Sequence, residues 1–118
     1  MPLRVLVDEN LSPRLHRLSD EEVQLVSVAY RGWAGKHNGE LLRLAEPEFD
    51  VLLTLDTNLS YQNPLGQLDI AVVLLSTVST RLDDLVGGFG PVRAALLRAQ
   101  PGLLTRVTLG PPAPTSPE

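Results

Sequence analysis

The chain predicts one α/β domain, a three-layer α/β/α sandwich around a mainly parallel sheet, and three observations carry that expectation. Short apolar runs recur along the 118 residues, each too short for a helix, with helix-like or polar stretches between them. Two of the runs stop in acid: Leu3-Arg4-Val5-Leu6-Val7 before Asp8-Glu9-Asn10, and Val51-Leu52-Leu53-Thr54-Leu55 before Asp56-Thr57-Asn58. The length suits a single core, and with 43% apolar residues but only 4% aromatics the packing must be aliphatic.

Residues 3 to 7 read as a buried parallel strand. Asn10 or Ser12 then caps a helix whose apolar positions Leu11, Leu15 and Leu18 fall at helical spacing, with Pro13 tolerated in its first turn. Ser19 to Glu22 is a polar turn, and Val23 to Val28 is a second strand rich in β-branched residues. Tyr30 to Gly39 has three glycines and no apolar period, so it reads as a loop. Asn38 is a candidate cap for a short helix buried through Leu41, Leu42, Leu44 and Ala45, which Pro47 ends. Val51 to Leu55 is the third strand, Ser60 to Gly66 a turn or short helix, and Ile70 to Leu75 the fourth strand. One helical turn at Arg81 to Val86 is broken by Gly87-Gly88-Phe89-Gly90-Pro91. A helix follows over Val92 to Gln100, and the last strand is Leu103 to Leu109. The domain is expected over residues 1–110, with 111–118 as a disordered proline-rich tail.

Composition removes several classes of function. No cysteine is present, so disulfides, thiolate zinc sites and thiol nucleophiles are excluded, and two histidines, His16 and His37, do not make a histidine cage. No charged leader with a long apolar run is visible, and no stretch approaches the roughly 20 apolar residues that cross a bilayer. A cytoplasmic protein is the expectation. A net charge of −4 gives no general attraction to nucleic acid, so binding there needs a local basic face or a bridging metal.

If the first and third strands are parallel neighbours, Asp8, Glu9 and Asp56 converge at the carboxyl edge of the sheet, where open α/β sheets hold their ligands. Carboxylates gathered there repel one another unless a divalent cation screens them, and a hard cation takes oxygen ligands. Neighbouring side chains alternate faces, which makes Asp8 the better ligand and leaves Glu9 as a second ligand or a partner for nearby backbone. Glu40, in the first turn after the loop, can reach the same edge, although an acid there also suits the positive end of a helix. Acids after strands often cap the next helix. Here Asn10 and Ser12, and then Asn58 and Ser60, are present for that role.

The segments Leu6-Val7-Asp8-Glu9-Asn10-Leu11-Ser12-Pro13, Asn38-Gly39-Glu40-Leu41-Leu42-Arg43-Leu44-Ala45 and Leu53-Thr54-Leu55-Asp56-Thr57-Asn58 resemble compact PIN-like proteins. These are relatives of VapC-type toxin ribonucleases and of the Mut7-C group. The resemblance extends through Gln62-Asn63, Val72-Val73-Leu74-Leu75 and Gln100-Pro101-Gly102. It implies a PIN-like fold and a metal-dependent endoribonuclease, the toxin of a toxin-antitoxin pair, in which Asp8, Glu40 and Asp56 are catalytic. Those three, with Asn58, would hold Mg²⁺ or Mn²⁺, supported by Glu9, Asn10 and Asn38. RNA would be the substrate, an antitoxin protein a possible partner, and a homodimer the expected assembly. Asn38 stands where the family often has Asp, and Asn58 where a typical PIN nuclease has its last Asp. Each keeps a neutral oxygen and removes a charge, so metal affinity is expected to be lower.

In the loop before Glu40, Trp33 has the chemistry to stack on a base and Lys36 to meet a phosphate, whereas the plainer reading has Trp33 packing over a sheet edge or a dimer partner. Arg14, Arg17 and Arg31 offer a basic rim or simply a solvated one, and Tyr61 and Gln62 would shape the cleft. Two alternatives stand beside the nuclease. One is a catalytically degenerate PIN-like binding module. The other is a receiver-like phosphorylation domain with Asp56 as acceptor, which lacks the expected lysine after the last strand, Lys36 being the only lysine.

Overall fold

A computed structural model describes residues 2–36, 38–55, 68–77 and 81–109. Five strands, β1 (Leu3–Val7), β2 (Val23–Ser27), β3 (Val51–Thr54), β4 (Ala71–Thr77) and β5 (Leu104–Leu109), form one sheet in the order β2-β1-β3-β4-β5. All four pairings are parallel. The expected mainly parallel sheet is therefore parallel throughout.

Strand residues alternate faces, and the core divides accordingly. Val5, Val7, Val51, Leu53 and Val73 join one apolar cluster. Leu6, Leu52 and Val72 join the other. The first cluster is closed by a 3-10 helix at Pro13–Leu18 and by helices α2 (Leu82–Gly87) and α3 (Phe89–Arg98), through Leu15, Leu85, Phe89, Val92 and Leu96. The second is closed by a 3-10 helix at Val28–Arg31 and by α1 (Asn38–Ala45), through Val28, Leu41, Leu42 and Ala45. Helical elements thus cover both faces of the sheet, and β3, buried at all four positions, is apolar on both sides.

Local chemistry explains where the elements begin and end. The segment after β1 is a 3-10 helix, in which residues three apart eclipse, so Leu15 and Leu18 line one side over a six-residue run. Ser12 accepts from the Arg14 N–H at 3.2 Å and sets its start. β2 stops at Ser27, one residue earlier than expected, because the Ser27 hydroxyl accepts from the Ala29 N–H and turns Val28 into the next helix. The break expected over Gly87 to Pro91 shrinks to Gly88, and α3 begins at Phe89. Pro91 falls in its first turn, where a missing N–H leaves no bond unmade. A Cβ on Gly88 would lie 3.2 Å from Leu109 Cδ1, so this position lets the end of β5 close over the helix junction. No helix among the described residues is long and apolar enough to cross a membrane.

At the amino edge of the sheet, Asp20 organises the turn into β2. Its Oδ1 accepts from the N–H groups of Glu22 and Val23 at 2.8 and 2.9 Å, and Arg93 of α3 donates to its Oδ2 at 2.8 Å and to Glu22 at 2.8 Å. The hydrogen bond from Arg93, then that from the Glu22 backbone, holds the Asp20 carboxyl down at about 2, below its ordinary 3.8. A carboxyl whose folded pKa is depressed stabilises the fold fully above its unfolded pKa and loses that contribution as pH falls through the folded one. The native chain is expected to lose thermal stability more steeply between about pH 4 and pH 2 than an Arg93→Gln variant does. Melting temperatures measured across that range by circular dichroism check this.

Candidate metal centre at the carboxyl edge

In the sheet order β2-β1-β3-β4-β5 the chain leaves β1 to one side and returns on the other, so the topological switch point lies between the carboxyl ends of β1 and β3. Register then selects the residues. Leu6 pairs with Leu52 and Val7 with Leu53, so the next step along both strands faces Asp8 with Thr54. The Asp8 N–H donates to the Leu53 carbonyl at 3.0 Å, and the Thr54 hydroxyl donates to Asp8 Oδ2 at 2.9 Å. The Glu9 N–H donates to Asp8 Oδ1 at 2.7 Å. Thr54 is fully buried and Asp8 is 6% exposed, which makes Asp8 the one carboxylate buried among the described residues.

Among the described residues no cationic side chain pairs with Asp8. All ten lysine and arginine residues fall in described segments, and no ion pair there involves Asp8. Its hydrogen-bond donors among the described residues, the Glu9 N–H and the Thr54 hydroxyl, are neutral. Buried carboxylates are ordinarily paired with a cation or coordinate a metal, because removing the charge from water is otherwise unfavourable. At the switch point Asp8 thus offers one hard oxygen donor to a cation, and no three-acid set is completed around it among the described residues.

The other acids are differently engaged. Glu9 is exposed, and its two carboxylate oxygens share the Gly35 N–H at 3.1 and 3.2 Å. Gly35 sits at φ +84°, a conformation that favours glycine, so Glu9 tethers the loop before α1 to the end of β1. Glu40 lies in the first turn of α1, exposed and paired with Lys36 at 2.9 Å. Asp8, Glu9 and Glu40 do not by themselves make a three-member ligand set; none exists among the described residues. Asp56, Asn58, Tyr61 and Gln62 lie outside the described residues. Asn10 is exposed in the turn after β1, and Asn38 opens α1.

No family model matches the chain, and no curated protein and no solved structure matches it either.

Trp33 is half-buried against the second apolar cluster, its ring edge-on to Phe49 with centroids 6.2 Å apart and the Arg31 guanidinium 4.8 Å above its ring. That is packing within the fold. Arg31 also pairs with Glu48. Arg14 is exposed on the first 3-10 helix. Thr54 is the site residue that sequence reasoning did not single out. Its signal was present as the lone hydroxyl in an aliphatic strand, but only the β1–β3 register shows that it faces Asp8.

Replacing Thr54 with Val keeps the shape and removes the donor, leaving a buried carboxylate oxygen without that partner. The expected loss of stability is about 1–3 kcal/mol, with Thr54→Ser nearer the native chain. Urea midpoints at unchanged m-value measure both.

Proposed function

We propose that the chain is a PIN-like, metal-dependent endoribonuclease, acting as the toxin of a toxin-antitoxin pair. The observation that carries the reading is the buried Asp8 carboxylate at the switch point of the sheet, held by neutral donors and paired with no lysine or arginine of the described residues. The resemblance adds Glu40 and Asp56 as fellow ligands and Asn58 as a neutral one. Asp56 stands two residues beyond Thr54 in the chain.

A bound Mg²⁺ or Mn²⁺ would supply Lewis-acid stabilisation of the scissile phosphate and a water acidified for attack. The chain's own residues set the stage for it. Thr54 and the Glu9 N–H fix the plane of the Asp8 carboxylate, and burial keeps competing water from it. Glu9 holds the loop that leads to Glu40, and Lys36 pairs with Glu40 at its entry. A cognate antitoxin and a homodimer belong to the same proposal and rest on the resemblance.

One set of contacts favours a second reading, a degenerate binding module. Glu9 and Glu40 are already satisfied by Gly35 and Lys36, and Asn replaces Asp at positions 38 and 58. Metal binding and RNA cleavage, measured together, separate the two. A ligand that binds only the folded state raises its melting temperature, so Mn²⁺ is expected to raise that of the native chain and to leave Asp8→Asn unmoved. In parallel, RNA cleavage with Mg²⁺ or Mn²⁺ is expected to fall at least a hundredfold in Asp8→Asn and in Asp56→Asn, roughly the loss of several kcal/mol of transition-state stabilisation by a metal. Metal binding without cleavage would favour the module, and equal cleavage by all three proteins would mean a contaminating nuclease.

A further inference from the structure

A 3-10 helix has three residues per turn, so the helix at Pro13–Leu18 presents three columns of side chains. Leu15 and Leu18 pack inward on the first cluster. Arg14 and Arg17 form a second column, and both are exposed. The third holds His16, whose ring lies edge-on to Tyr30 at a centroid distance of 5.7 Å and an interplanar angle of 81°. Tyr30 belongs to the other 3-10 helix and is 65% exposed, the most open large apolar side chain among the described residues. Tyr30 keeps most of its surface open to solvent in spite of this contact.

Neither Arg14 nor Arg17 takes part in an ion pair among the described residues. Asp20 and Glu22, the paired acids that follow this helix, are held by Arg93 instead. Through the His16–Tyr30 contact, the helix that carries these two exposed arginines lies against the open tyrosine side chain. Their axial separation is about 6 Å, three residues at about 2 Å each. Cations that track a backbone, next to an aromatic platform, are what proteins use to hold single-stranded nucleic acid without reading its sequence.

We propose that Tyr30, with Arg14 and Arg17, forms a grip for single-stranded RNA in which a base stacks on the tyrosine ring and adjoining phosphates meet the two guanidinium groups. The grip rests on the nuclease reading for its choice of RNA, and on the Tyr30–His16 and arginine geometry for its place. It works without a metal, since none of its residues is a carboxylate.

The test is fluorescence anisotropy of a short labelled single-stranded oligoribonucleotide with EDTA present, so that cleavage is silent. Tyr30→Ala is expected to weaken binding about tenfold, in line with the loss of one stacked base, and Tyr30→Phe to retain it. Replacing Arg14 and Arg17 together with Gln is expected to make the salt dependence shallower by about 1.4 in log–log slope. Arg98→Gln, an exposed arginine on α3, serves as the control and keeps native affinity. Melting curves confirm that each variant folds. Absence of binding by the native chain, or native affinity in Tyr30→Ala, overturns the proposal, as does equal competition by dextran sulfate, which would mark a general polyanion surface. Asp8-dependent cleavage with no effect of Tyr30 on binding would leave the nuclease standing without this grip. Tyr30-dependent binding with no cleavage would leave the grip without the nuclease.

Discussion

The parallel pairing of β1 with β3 is the constraint on which the rest of the molecule depends. It runs through the centre of the sheet, where Leu6 and Leu52 are completely buried, and shifting it by one residue would exchange the two apolar clusters. The same register carries Asp8 to Thr54. An aliphatic core that cannot slip therefore fixes a carboxylate that the core alone would reject, and the cost of burying that charge is tolerated because the surrounding pairing leaves it nowhere else to go. Proteins accept such local penalties mainly where a site needs them.

The two edges of the sheet are chemically unlike. At the amino edge, acids are answered by nearby donors: Arg93 holds Asp20 and Glu22, and the Arg4 N–H donates to Asp50 at 2.9 Å. Those contacts fasten turns. At the carboxyl edge the buried acid has neutral donors, while exposed arginines lie on a separate helix to the side. The two edges thus differ in whether an acid is answered by a cation or by neutral donors.

Much of this was legible in the chain. Five apolar runs with no helical period became the five strands, and Asp8 after the first stands buried at the carboxyl edge. Other features needed coordinates. Pro13 and the spacing of Leu15 and Leu18 suit an α-helix and a 3-10 helix alike, and six residues do not separate them. The glycines from 87 to 90 suggested a longer break than forms, because Phe89 is drawn into the core and takes Gly90 and Pro91 into the helix with it. Tyr30 lay in a segment without period, so nothing in the pattern distinguished an open ring from a packed one. Trp33 in the same segment turned inward to Phe49.

Glu9 stands at the meeting of two tasks. Its peptide N–H orients Asp8, while its side chain receives the loop through Gly35. Any pull on that loop is therefore delivered, through one residue, to the plane of the neighbouring carboxylate. A mutational survey that found position 9 indispensable would be recording a mechanical linkage as readily as a chemical role.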